Sequence, residues 1–468
     1  MSDVNPTDKP SPKINIFSSL GPAIITASVV LGPGSIVTAS KLGYNSGFSM
    51  IWVVLIAVAM MICMTALSAR LGVVLEHSLC QELKNRAGTP IAVLTGVSLF
   101  LICACFQYSN NLGILLAVEP LVENVGPTVS ILVIVVLNIF IIAVLWGLKS
   151  LYTHIEKLMK LLVAMMTIAF AINLGFALVT DLPEKATDDQ PATVEAETNT
   201  AENDVSTPAP ENPASSTEES TDSPEEIVAA AEKKPASSNS ALIGVIAIIG
   251  TTCSFAGAFY QSYLVREKGW TIANIKQGFI DSTLGITLLG LITLMILATA
   301  ALVLHGKVDV EPKTAADVAK SLQPAFGNFA VIIFCLGIFA GAFSSFLVNS
   351  MIGGAMLSDG LGLGYHIDKL APKVCTTIAL LLGMGVAVYM KLTETPEEPA
   401  SAPANLILVA QSAVVIGYPV LAAAMLWLST RADLTGEREI PKWLRIAAGL
   451  GLILALGVAY QFILKILS

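Results

Sequence analysis

Apolar residues gather into eleven runs, at 15–43, 48–74, 91–118, 127–147, 158–180, 240–264, 277–304, 326–357, 372–391, 404–429 and 444–464. Each is close to or above the length of about 20 residues that a helix needs to cross a bilayer. Polar or charged residues punctuate them. The pattern predicts an all-α, polytopic membrane protein with eleven transmembrane helices. Two five-helix halves follow, 14–180 and 240–430, with a short tail at 1–13 and the eleventh helix in 431–468.

Two runs interrupt themselves. The first carries Leu31-Gly32-Pro33-Gly34-Ser35 in its middle, and the sixth opens its second part with Gly250-Thr251-Thr252-Cys253. Proline lacks an amide hydrogen and glycine is a weak helix former. An unsatisfied backbone group in lipid costs several kcal/mol, so irregular backbone at that depth belongs where it lines a polar cavity. Interruptions in the first helix of each half point to a transporter built from inverted repeats, with helices 1 and 6 broken around a midplane site.

Composition agrees: the chain is 54% hydrophobic and 13% charged, with a mean hydropathy of +0.74. Soluble proteins carry about 25% charge. The net charge of −9 is local in origin, because residues 181–239 hold fifteen acids against three lysines. That stretch is rich in Pro, Ser, Thr and Ala and reads as a disordered acidic loop between spans five and six. Of the 26 Lys and Arg residues, 17 fall on the tail and loops that share the N-terminal side. This bias predicts a cytoplasmic N-terminus and an extracytoplasmic acidic loop in a cell membrane. The polar first dozen residues and the long first run do not look like a cleavable signal.

The seven cysteines form no CxxC pair and read as packing residues. The four histidines fall at span ends or in loops, and no P-loop, HExxH or GxSxG context is present. No enzyme, cofactor, resident metal or nucleic-acid partner is therefore expected; the bilayer is.

The stretch LGPAIITASVVLGPGSIVTASKLGYNSGFSMIWVVL (20–55) resembles the first span and outer turn of the Nramp (natural resistance-associated macrophage protein) transporters. ALSARLGVV (66–74), FCLGIFAGAFSSFLVNSMIGGAMLSDG (334–360) with its paired serines, and LVAQSAVVIGYP (408–419) are similar to that family's second, eighth and tenth spans. The resemblance implies a LeuT-type 5+5 inverted repeat and, in the family, proton-driven transport of divalent metal ions.

The family's ligands are altered at the matching positions. Its Asp-Pro-Gly-Asn is Gly32-Pro33-Gly34-Ser35, its Met-Pro-His is Ser254-Phe255-Ala256, and a second His is Gln261. The acids of its third span are matched by Gln107 and Asn110, with Asn111 adjacent; the tenth-span Gln remains as Gln411. A dehydrated divalent ion favours anionic oxygen or soft sulfur, and these positions supply neither. Hydroxyls and amides suit a neutral polyol, since an unpaired buried hydroxyl costs about 1–3 kcal/mol.

The leading expectation is a transporter, in symport or by passive diffusion, of a small neutral solute such as a monosaccharide. Its site would be Gly32, Gly34, Ser35, Gln107, Asn110, Asn111, Thr251, Ser254, Phe255, Tyr260, Gln261 and Gln411. Protons, if they drive it, would use a displaced acid, Glu76 or Asp281. A divalent-cation (Mg²⁺ or Mn²⁺) transporter and a non-transporting sensor or scaffold are the alternatives. Loss of function on deleting the acidic loop would mark the sensor.

Overall fold

The computed structural model describes residues 21–118, 126–179, 249–306, 315–393, 414–431, 433 and 439–467. The acidic stretch 181–239, the tail 1–13 and Gln411 lie outside them. Everything described as regular is helical.

The first apolar run forms two helices, α1 (Pro22–Val30) and α2 (Pro33–Ser46), bent by 60° at Leu31-Gly32. Each half begins with a proline in its first turn, where the missing amide hydrogen costs nothing. Then come α3 (Ile51–Val74), the short amphipathic α4 (Leu79–Ala87), α5 (Thr89–Val118), α6 (Pro127–Gly147) and α7 (Leu151–Val179). In the second half, residues 249–252 are helical, Cys253 and Ser254 are not, and α8 (Phe255–Glu267) resumes. Next follow α9 (Ile275–Val303), α10 (Ala315–Gly360), α11 (Leu370–Thr393), α12 (Tyr418–Thr430) and α13 (Lys442–Leu467).

Eight of these helices are long and apolar enough to cross a membrane, and the bent α1–α2 pair makes a ninth candidate. The apolar runs at 240–264 and 404–429 are described only in their later parts, as α8 and α12. Both breaks expected from the sequence are present.

Layering follows residue size. Leu132, Ile139, Phe140, Leu161, Ile168, Leu381, Ile446 and Ile453 are exposed on α6, α7, α11 and α13, forming the face that suits lipid. Small residues line the inner seams. A Cβ at Gly72 would lie 2.5 Å from the Ser262 carbonyl, so α3 and α8 approach as closely as backbones allow. The interior is thus α1, α2, α5, α8, α9 and α10, with the breaks at its centre.

Candidate functional site

A helix that ends inside a protein leaves its last four carbonyls without partners. At the end of α1 each finds one. Leu31 N–H donates to Ala27 O at 3.2 Å, and Ser344 Oγ of α10 donates to Ser28 O at 3.3 Å. Ser345 Oγ donates to Val29 O at 2.9 Å, and Ser35 Oγ, from the first turn of α2, donates to Val30 O. Three serine hydroxyls therefore make the break tenable. Ser35 was expected; Ser344 and Ser345 were legible only as the paired serines of the eighth-span resemblance, with no role attached.

Gly32 is extended (φ −82°, ψ 176°), so its backbone does not demand glycine. Space does. A Cβ there would lie 2.8 Å from Ser345 Oγ and 3.5 Å from Asn110 Oδ1. Pro33 is met in turn by Gly113 of α5, and Leu31 O by Gly341 of α10. Gly34, in the first turn of α2, is buried beside them.

Gln107 and Asn110 sit one turn apart on α5, both fully buried. Gln107 Nε2 donates to Phe346 O at 2.8 Å, while its Oε1 has no partner. Neither amide atom of Asn110 has one. Asn349 Nδ2 donates to Ser345 Oγ at 2.9 Å and leaves its Oδ1 unpaired. Asn111 is different: its Nδ2 donates to Gln107 O at 2.8 Å and its Oδ1 accepts from Asn138 Nδ2 at 2.7 Å, which makes it a structural tie.

On the α8 side, Ser254 caps the helix, its Oγ accepting from Gly257 N–H at 3.1 Å. Thr251 lies in the short helical segment before the break. Phe255 packs on Tyr418 with ring centroids 5.2 Å apart, and Tyr260 stacks on Tyr263 at 6.0 Å. Both are core aromatics in this arrangement. Gln261 bridges two elements: its Oε1 accepts from Thr26 Oγ1 at 2.6 Å and its Nε2 donates to Asp281 Oδ2 at 3.2 Å.

Asp281 of α9 is fully buried and caps the start of α1, accepting from Gly21 N–H at 2.8 Å and Ala23 N–H at 2.9 Å. A carboxylate there meets the positive end of the helix dipole. Lys268 Nζ lies against Gly21 and pairs with Glu156 Oε1 at 2.8 Å. Glu76 is elsewhere. It is exposed in the turn after α3, where its carbonyl accepts from Arg266 Nη1, a residue about 18 Å along α8 from the Ser254 break at 1.5 Å per residue. The structure thus gathers Gly32, Gly34, Ser35 and Asn110 at one break, sets Gln107 one turn away between α10 and α11, and places Gln261 with Asp281 along α1; it does not bring Glu76 to either. Among the described residues no group of three or more His, Cys, Asp or Glu is placed to hold a metal.

Two interrupted helices, their ends capped by side chains from neighbouring spans around a buried polar centre, define the broken-helix class of inverted-repeat membrane transporters. The chain matches the family described as natural resistance-associated macrophage protein-like over residues 23–183 and 224–465. It belongs to the Nramp family. It is 22% identical to the divalent metal cation transporter MntH of Deinococcus radiodurans, over 90% of this chain and 84% of that one. It is 19% identical to the MntH of Yersinia pestis (strain Pestoides F), over 99% and 98% of the two. Its fold is similar to that of the Eremococcus coleocola manganese transporter, with a TM-score of 0.73 at 15% identity, covering 98% of this chain and 89% of that one.

These relatives overturn the expected monosaccharide, and sugar symport with it. The polar side chains assigned to a sugar are largely engaged within the protein: Ser35 on the break, Ser254 on α8, Asn111 between α5 and α6, Gln261 between Thr26 and Asp281. The electrostatic premise also asked too much. A hard cation that keeps part of its water shell can use neutral carbonyl oxygens as direct ligands.

Proposed function

We propose that the protein carries divalent metal cations, Mg²⁺ or Mn²⁺, across a cell membrane by alternating access around the breaks of the first and sixth spans. One observation carries the reading: relatives aligned along nearly their whole lengths are divalent metal cation transporters by name. The geometry adds that the irregular backbone lies at the buried centre, where a transporter holds its cargo. The Lys and Arg bias supports an N-terminus in the cytoplasm.

The ligand chemistry sets the selectivity. The matching positions offer oxygen donors from hydroxyls, amides and backbone, with no thioether or imidazole among them. Preference for transition metals over Mg²⁺ or Ca²⁺ leans on such softer ligands. Mg²⁺ therefore competes with Mn²⁺ on comparable terms. The test is uptake by proteoliposomes containing the full chain and a trapped divalent-ion dye. Entry of Mn²⁺ above that of protein-free vesicles, inhibited by external Mg²⁺ at similar concentrations, is expected. No entry of either ion would end the proposal.

A further inference from the structure

The serine-capped break and the amides behind it leave a specific imbalance. Buried amides in membrane helices ordinarily tie one helix to another through both of their ends. Asn111 does so. Its neighbour Asn110 does not: it is fully buried, and among the described residues it is the only Asn or Gln with both amide atoms buried and unpartnered. Gln107 Oε1 and Asn349 Oδ1 are likewise buried and unpaired. Each such group costs about 1–3 kcal/mol unless something meets it.

Asn110 and Asn349 lie together, with Gln107 one turn away, its stem against Gly383 of α11. Gln107 and Asn110 share a face of α5, and Gln107 is bonded to Phe346 O, the residue after Ser345. Asn349 is bonded to Ser345, and Ser345 and Asn110 both close on the side of Gly32 where a Cβ would project. We propose that Asn110 of α5 and Asn349 of α10, with Gln107 one turn behind them, form a neutral, carbonyl-lined cation site beside Gly32 that binds the transported divalent ion with part of its water shell retained. The inference rests on the transport reading above and moves the principal side-chain contacts from the first and sixth spans to the third and eighth.

The chemistry fits a hard cation. Asn and Gln side-chain oxygens are ordinary ligands for Ca²⁺-like ions, and Mg²⁺ keeps several waters in its sites. A bound water donates both its protons outward, so an unpaired carbonyl oxygen can also serve through it. The loss of the acid at Gly32 then has a steric counterpart. The space a carboxylate stem would need is taken by Ser345 and Asn110, which carry oxygens of their own. Because Asn110 also offers a donor, a neutral or anionic guest is the competing occupant, and charge separates them.

The experiment measures Mn²⁺ binding to purified full-length protein, by loss of the free-ion EPR signal, for the wild type, Asn110→Asp, Asn110→Ala and Asn349→Asp. An added anionic oxygen in a cation site tightens binding, here by about tenfold or more, and the truncation weakens it by a similar factor. Asn349→Asp keeps the question open to an answer if Asn110→Asp does not fold. Aspartate variants that bind Mn²⁺ no better than the wild type overturn the site while leaving wild-type uptake, and so the transport reading, intact. A wild type that neither binds nor transports Mn²⁺ or Mg²⁺ overturns both.

Discussion

At the scale of single residues, Ser345 and Gly32 form a unit. Ser345→Ala leaves Val29 O and Asn349 Nδ2 without partners. A loss of about 1–3 kcal/mol is expected for such buried groups, read as a lowered unfolding temperature in detergent. Ser350→Ala is the control, because its hydroxyl bonds only to Leu347 O of its own helix. A similar loss in both would show that the break does not depend on Ser345. Gly32→Ala presses a methyl on Ser345 Oγ, so its cost is expected to fall when combined with Ser345→Gly, a coupling that a double-mutant cycle isolates. The sequence made Gly32 and Ser35 conspicuous, since a Gly-Pro-Gly in lipid-depth helix is anomalous. It could not do the same for Ser345 or Asn349. A hydroxyl or amide in an apolar run is equally good as glue or as a cap, and only its partner, 316 residues away for Ser345 and Val29, decides which.

At the scale of elements, α1 is held from both ends by other helices. α10 serves its C-terminal carbonyls, and Asp281 of α9 serves its first amides. Asp281 was legible as a candidate acid in an apolar span, but only the fold could assign it to Gly21 and Ala23, about 260 positions upstream. Asp281→Ala strands those two amides and removes the partner of Gln261 Nε2. The expected result is faster amide hydrogen exchange across 21–31, with little change in α5 and α10, because the opening is local. Uniform acceleration along the chain would assign Asp281 to general stability instead. The break in the first helix followed from proline and glycine placement, whose effects are local; in the sixth, Gly250 is helical and the break falls at Cys253 and Ser254. What caps them is tertiary, and so was hidden.

For the whole molecule, the family match skips residues 184–223, inside the stretch that carries the excess of acid. We expect deletion of 185–223 to leave Mn²⁺ uptake by proteoliposomes within about twofold of the full chain, since a sequence of low hydrophobicity and high charge adds little to a core. Abolished uptake with intact folding would favour the sensor or scaffold alternative. The reading of an all-helical, many-spanned membrane fold survived because lipid-scale hydropathy is a coarse, additive signal. Cargo identity did not, because it turned on which of many neutral oxygens face the same point. One contact reaches beyond the site. Arg266, near the end of α8, donates to the carbonyls of Leu75, Glu76 and His77. That guanidinium rivets the sixth span to the hinge between the second span and the amphipathic α4. On the proposed transport reading, any rocking of α8 would carry α4 with it, and a fluorophore placed on exposed Asn85 would report the motion.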